Sequence, residues 1–382
     1  MAATSSPGTS GGKAPTVYDV ADRASVSIAT VSRVLRTPDA VREATRERVM
    51  TAVRDLGYVP SGNARALAGR RTGVIGLCFP GHDGLEGEDP RDEAVRDPRP
   101  AMTLRGGVRI VDDRRPGPAP AMRNLYFDEV LRGAEVEAWR RGFALMVAAG
   151  RGPSREVIVN DIAGRVDGLA VLARTVSDDL LAHVARRIPV VVLADATRAD
   201  GFDHVSVDNA AGMQALTTHV VTTLGVRDVV YVAGPQDSPD EAERRRGFLA
   251  ALTAAGVAPE TVPVLRGDFR GDRAFEAVTR LLRERIPRAL VCANDQSALG
   301  ALDAVRAGGL SVPGDVLVTG FDGIDVSRFT EPPLTTVAQP MAELGRAAVR
   351  AIVDRLALPQ APRLDTRLPV EVLLRESCPP TL

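Results

Sequence analysis

Residues Thr16 to Arg36 read TVYDVADRASVSIATVSRVLR, two short apolar patterns about ten residues apart with RASVS between them. Thr16 is placed to cap a helix running to about Arg23, with Val17, Val20 and Ala21 on one face. Ala24, Ser25 and Val26 make the turn. Ser27 is placed to cap a second helix, IATVSRVL, with Val31, Val34 and Leu35 facing inward. A third helix is expected from near Arg42 to Leu56, with Val49, Val53 and Leu56 in register and Gly57 ending it. Three short helices of this kind close around one small core, which leaves Ile28, Ala29, Thr30, Ser32 and Arg33 pointing away from it or along its edge. That is helix-turn-helix geometry, in which the N-terminal end of the second helix enters the DNA major groove. Arginine reads guanine through O6 and N7, and small apolar side chains touch the thymine methyl. The plainer alternatives are helix filler for Ile28 and Ala29 and a phosphate contact for Arg33.

Charge supports the same division. Between Thr16 and Arg71 ten arginines face six acids, a surplus of four; with Lys13 added and a net charge of −1 for the whole chain, everything after residue 72 carries six more negative than positive charges. A basic head on an acidic body fits a nucleic-acid-binding module. The opening MAATSSPGTSGGKAP has no apolar core of the signal-peptide kind and reads as a flexible tail over residues 1–14. No apolar run is long enough for a membrane span. Cys78, Cys292 and Cys378 lie far apart without a CxxC pair, which points to free thiols and a cytoplasmic location.

Beyond Thr72 short apolar runs alternate with helical segments: GVIGLCF, FALMVAA, VDGLAVLA, PVVVLAD, HVSVD, DVVYVAG, RALVCAND and VLVTGFD. Repeated βαβ units of this kind build parallel sheets with helices on both faces, and their ligands sit at the carboxyl ends of strands. The strand-end groups AD, AG, AND and GFD suit that position, although each alone is an ordinary turn. No P-loop, GxSxG or HExxH is present. His82, His183, His204 and His219 are scattered, and an alternating strand explains HVSVD better than metal ligation. No catalytic residue, metal or cofactor is therefore expected.

TVYDVADRASVSIATVSRVL, followed by RERVMTAVRDLGYVPSGNARALAGRRTGVIGL, resembles the start of a lactose-repressor (LacI/GalR) family regulator, and the likeness continues to the C-terminus. It implies an all-α helix-turn-helix head (15–60), a hinge helix (61–72) and an α/β body like a periplasmic binding protein. That body has two doubly wound parallel-sheet subdomains, 73–205 with 332–367 and 206–331 with 368–378. The chain would cross between them near Ser206, Pro332 to Thr335 and Leu368. The resemblance implies base readout by Ile28, Ala29 and Arg33, phosphate neighbours Thr16, Ser27, Thr30 and Ser32, and a hinge helix in the minor groove with Leu67 as a wedge and Arg65 beside it. The family usually has Asn where this chain has Arg36. The resemblance also places Asp195, Arg244, Phe269, Asn294 and Asp322 on a small-molecule effector, with Tyr126 and Phe127 lining the same cleft and Asp208 of VSVDNAAG in a structural role.

Carboxylates and a guanidinium suit neighbouring hydroxyls and an aromatic ring covers a sugar face, so a sugar is the expected effector; stacked aromatics keep a purine or nucleoside open. Partners expected are a near-palindromic double-stranded operator and a second copy of the chain, with no membrane. The absence of leucine heptads after LPVEVLLRES argues against a tetramerisation tail. A solute-binding protein without regulatory role would share the body but would not need the basic head. One segment departs from the family: residues 81–122 form an insertion of about forty residues. Within it MTLR-GG-VRIV reads as a hairpin with a two-residue glycine turn. Its alternatives are a disordered surface loop or a flap near the cleft mouth or the dimer edge.

Overall fold

The computed structural model describes residues 15–36, 38–58, 71–80, 101–103, 109–111, 125–150, 155–195 and 200–381. The tail, the hinge segment with Arg65 and Leu67, and most of the 81–122 insertion lie outside them. The chain divides into two compact units at Thr72/Gly73.

In the head, α1 spans Val17–Arg23, α2 Ile28–Arg36 and α3 Glu43–Leu56. Thr16 and Asp19 form a reciprocal capping box: the Asp19 carboxylate accepts from the Thr16 N–H at 2.6 Å, and the Thr16 hydroxyl accepts from the Asp19 N–H at 3.4 Å. Ser27 caps α2, its hydroxyl accepting from the Thr30 N–H at 3.1 Å. Gly57 ends α3 in the left-handed region at φ 61°. Ser25 holds the α1–α2 turn at φ 52°, a conformation that L side chains seldom take. The core comprises Val20, Val31, Val34 and Val49, closed by Ala21, Ala24 and Ala52.

The body is built on two six-stranded sheets. The first has the order β13-β7-β6-β5-β1-β4, with β1 Val74–Pro80, β4 Ala144–Gly150, β5 Gly168–Leu172, β6 Val190–Leu193, β7 Asp203–Val207 and β13 Asp365–Leu368. All its pairings are parallel. The second has the order β14-β12-β11-β10-β8-β9, with β8 Val229–Ala233, β9 Val264–Arg266, β10 Ala289–Cys292, β11 Leu317–Asp322, β12 Thr335–Ala338 and β14 Glu371–Leu373. Only β14 runs antiparallel there. Strands β5 to β8, β10 and β11 are buried along their whole length, as parallel strands with helices on both faces must be.

The helices that position the cleft are α4 Leu125–Arg140, α7 Asn209–Thr218, α8 Pro239–Ala254, α10 Asp295–Ala307 and α11 Met341–Ala357; α5 Arg155–Ala163, α6 Asp178–Ala185 and α9 Gly271–Glu284 complete the set. α4 packs on α11, and α7 on α8. The second contact is close because of Gly247: a Cβ there would lie 2.1 Å from the Ala210 carbonyl oxygen. Arg355 of α11 ties down β7 through a buried two-pronged pair with Asp203, at 3.0 and 2.6 Å.

Two expectations need correction. β12 pairs with β11, Thr319 opposite Thr335, so Thr335–Ala338 belongs to the second sheet and the return crossing falls beyond Ala338. β7 pairs within the first sheet as far as Val207, opposite Leu368 of β13. In the insertion, β2 Ala101–Thr103 and β3 Arg109–Val111 do pair antiparallel, but Thr103 stands opposite Arg109. A two-residue Gly106–Gly107 turn would put Thr103 opposite Ile110, one residue out of register.

Candidate functional site

The head presents one edge. Ser27, Ile28, Ala29 and Arg33 are exposed, and Thr30 and Ser32 half-buried, along α2 on the side away from the valine core. Ile28 is 40% exposed and is not among the residues of that core. The hydroxyls of Thr16, Ser27 and Thr30 take part in the helix caps, with Ser27 Oγ 2.9 Å from Thr30 Oγ1. They therefore lie beside the helix N-termini, whose backbone N–H groups suit phosphate.

In the body, a buried polar cluster gathers where parallel strands of both sheets end. Arg244 on α8 is its centre and is 3% exposed. Its Nε donates to Asn209 Oδ1 at 2.8 Å and its Nη1 to the Ala293 carbonyl at 2.7 Å. Nη1 lies 3.2 Å from Asp322 Oδ1, and Nη2 lies 4.0 Å from Asp240 Oδ2. The guanidinium stacks over Phe321 at 4.0 Å and stands 5.4 Å from the Phe269 ring centre. Asp322 ends β11 at φ 123° and accepts from Gln339 Nε2 at 2.7 Å. Beneath it, Asp295 accepts from the N–H groups of Gly323 and Ile324 at 2.8 and 2.9 Å and from the Thr336 hydroxyl at 2.5 Å. That carboxylate fixes the turn carrying Asp322.

Burial pushes the Asp322 carboxyl up to about 6 against the opposing pull of Arg244 and Gln339. Burial raises Asp240 to about 6 as well, again opposed by Arg244, and by the Asn209 amide that donates to it at 2.8 Å. Asp295 is held well above the ordinary carboxylate range by burial and then by Asp322. Burial alone would lower the Arg244 pKa; Asp322 and Asp240 outweigh it and keep the guanidinium charged.

The first sheet contributes Tyr126 and Phe127 from the first turn of α4 and Asp195 from the end of β6. Phe127 stacks on Phe79 at 5.0 Å, and Tyr126 meets Phe127 edge-on. The Tyr126 hydroxyl is buried, which raises its pKa, and the charges of Asp240 and Asp322 raise it further. The charge of Asp195 reaches Asp240 across the cleft. Arg174 after β5 and Asp237 after β8 join the two halves by an ion pair of 2.6 Å.

Of the residues expected on an effector, Tyr126, Arg244 and Asp322 converge directly. Asn294 is held as the cap of α10, its Oδ1 accepting from Ser297 N–H at 2.9 Å while its Nδ2 donates to the Phe269 carbonyl at 3.3 Å. Phe269 sits at φ 60° with its ring against Gly234, where a Cβ would come within 2.3 Å of it. Asp208 caps α7, accepting from Ala211 N–H at 3.2 Å. Sequence reasoning missed Asn209, Asp240, Phe321 and Gln339. The acid four residues before Arg244 on one helix was the available signal for Asp240, and a polar residue following a strand the signal for Gln339. Among the described residues no group of His, Cys, Asp or Glu is arranged to hold a metal, and no helix is long and apolar enough to cross a membrane.

A helix-turn-helix unit followed by two linked parallel-sheet halves around a polar cleft defines a ligand-responsive DNA-binding protein. Residues 16–61 match the model for bacterial regulatory proteins of the lacI family, and 219–378 that for a periplasmic binding protein-like domain. The HTH-type transcriptional repressor CytR of Escherichia coli K12 is 30% identical over 348 residues, 90% of each chain. The HTH-type transcriptional regulator CelR of Thermobifida fusca is 32% identical over 371 residues, 95% of this chain and 98% of that one. Among solved structures, the lac repressor dimer bound to operator and the anti-inducer ONPF superposes with a TM-score of 0.73 at 26% identity, covering 96% of this chain and 99% of that one. A CelR–cellobiose complex gives 0.63 at 30%, covering 95% and 99%. The chain belongs to the LacI family: it is a DNA-binding transcriptional regulator with a small-molecule effector, not an enzyme.

Proposed function

We propose that this protein acts in the cytoplasm as a homodimer on a near-palindromic operator, and that a sugar bound in the cleft sets its operator affinity. In this reading α2 of each copy enters a major groove, Ile28, Ala29 and Arg33 meet base edges, and Thr16, Ser27, Thr30 and Ser32 lie near phosphates. Residues 61–72 serve as the hinge helix in the minor groove, with Leu67 as wedge and Arg65 beside it. The effector is held by Arg244, Asp322 and Asn294 from the second sheet and by Asp195, Tyr126 and Phe127 from the first, with Phe269 at one side.

One observation carries the reading: the buried Arg244–Asp322 pair, 3.2 Å apart, lies at the strand ends of the second sheet, where the Arg174–Asp237 ion pair of 2.6 Å joins the two halves. A ligand seated there touches both halves, so it distinguishes arrangements of the two sheets; a ligand indifferent to them shifts nothing. That the related CelR was solved as a complex with cellobiose adds support for a sugar. The stacked Phe79–Phe127 pair beside Tyr126 supports a second reading, a purine or nucleoside effector.

The test is titration of the operator complex with monosaccharides, disaccharides and nucleosides, using the wild type and Asp322→Ala. A sugar is expected to shift wild-type operator affinity and to lose that effect in the variant, where a buried hydroxyl loses its carboxylate. A variant responding at wild-type concentrations removes Asp322 from the site. A response to nucleosides alone selects the second reading.

A further inference from the structure

Among the described residues one guanidinium, that of Arg244, faces two buried carboxylates, Asp322 and Asp240. Asp240, on the first turn of α8 with its side chain 17% exposed, is 4.0 Å from Arg244, whereas Asp322 is at 3.2 Å. Arg244 is already directed to Asp322, Asn209 and the Ala293 carbonyl. The groups that face Asp240 are Arg244 and Glu243 on its own helix, Asn209 of α7, Asp195 at the end of β6, Asp322 at the end of β11 and Tyr126 of α4. Among the described residues Arg244 is the guanidinium set against both Asp240 and Asp322, while Glu243 is paired with Arg246 and Arg367 at 3.2 and 3.5 Å.

A second observation is independent of the acids. Gln339 is 6% exposed; its Nε2 donates to Asp322, but its Oε1 has no hydrogen-bond partner among the described residues. The buried Tyr126 hydroxyl has none either. A buried amide oxygen takes a donor, and a buried carboxylate short of countercharge takes a cation. Both requirements are met by a primary ammonium, a compact charge with three N–H donors and no acceptor.

We propose that the cleft selects a hydroxylated ligand carrying a protonated amine, an amino sugar, whose ammonium lies against Asp240 and within reach of Asp322 and Gln339 Oε1. This rests on the reading of the cleft as a sugar effector site and specifies the sugar. Burial pushes the Asp240 and Asp322 carboxyls up to about 6. The amine preference is therefore greatest at neutral pH, where both are charged, and falls as pH drops through about 6.

Isothermal titration of the full chain with matched pairs decides it: D-glucosamine against D-glucose, D-galactosamine against D-galactose and D-mannosamine against D-mannose, with N-acetyl-D-glucosamine and adenosine alongside. At least one amino sugar is expected to bind about tenfold or more tightly than its hydroxyl partner, and glucosamine more tightly than N-acetyl-D-glucosamine. Asp240→Asn, which keeps an oxygen for Asn209, is expected to bring that ratio close to one. The wild-type ratio also falls below pH 6, a result that needs no variant to fold. Neutral sugars binding as tightly as their amino partners overturn the proposal and leave the sugar site standing, as does a ratio that survives Asp240→Asn. Binding of adenosine with none of the six sugars overturns both.

Discussion

Replacing Arg244 by alanine separates the work of its charge from the work of its volume. The side chain is 3% exposed, bonded to Asn209 and Ala293 and paired with Asp322, with Asp240 a further neighbour. Removing one partner of a buried ion pair costs about 3–5 kcal/mol, because the other charge is left without compensation. A cavity also costs stability, but that cost does not depend on pH. Asp322 and Asp240 are raised to about 6 even with Arg244 pulling them down, so without it both move higher. An acid whose folded pKa is raised contributes stability fully present below its unfolded pKa of about 4 and lost as pH rises through the folded value. The wild type has finished losing this contribution about a unit above pH 6, while Arg244→Ala goes on losing it. The penalty of the variant should therefore grow between pH 6 and pH 8, by up to about 1.4 kcal/mol per pH unit for each carboxylate still protonated. Urea unfolding followed by circular dichroism at pH 6, 7 and 8 measures this. Arg244→Met, which retains apolar volume, should show the same slope with a smaller offset. A penalty constant across all three pH values would refute the charge argument and reduce Arg244 to packing.

Three further outcomes are expected. Ser27→Ala removes the acceptor for the Thr30 N–H and should destabilise the head by about 1 kcal/mol, seen as an earlier calorimetric transition of that unit. Gly247→Ala forces a methyl to 2.1 Å from the Ala210 carbonyl and should cost about 1–3 kcal/mol; an unchanged melting temperature would mean that α7 and α8 separate freely. Arg33→Ala should lose about 1–3 kcal/mol on the operator and much less on random DNA; equal losses on both would make Arg33 a phosphate anchor.

The head was legible because each of its helices carries its own local signals. Thr16, Ser27 and Gly57 act as caps where the sequence places them, and the valines of each pattern meet in one core. Ala24 and Ala52 were not picked out, since alanine carries no strong pattern signal. The body's βαβ alternation was legible for the same local reason, but sheet membership was not. Nothing within Thr335–Ala338 says that it pairs with β11; a long-range register decides that. Strand β7, Asp203–Val207 (DHVSV), alternates from His204 to Val207 yet is buried throughout, because parallel strands are covered on both faces. Two of its polar members find partners distant in sequence or outside the strand: Asp203 meets Arg355, and His204 meets Asp200 at 2.9 Å.

The cleft was half legible, and the missing half explains why it is a site. Asp322 ends a strand and so falls where ligands of parallel sheets bind. Asp240 begins a helix, where an acid ordinarily complements the helix dipole, and its spacing from Arg244 reads as a surface pair. Only the packing of α7, α4 and the end of β11 around it turns that surface acid into a buried one. A fold selected for stability alone would place apolar groups here, since well-packed apolar residues match or exceed buried ion pairs. This chain instead keeps Asp240 and Asp322 beside Arg244, sets Asp295 next to Asp322, and leaves the Gln339 carbonyl without a hydrogen-bond partner among the described residues. On the reading proposed above, a donor-rich ligand lowers the cost at Asp240, Asp322 and Gln339, and lowers it most where it also meets Tyr126 and Asp195 of the first sheet. The ligand's binding energy then falls unequally on the arrangements of the two sheets, and that inequality is the quantity a regulator needs.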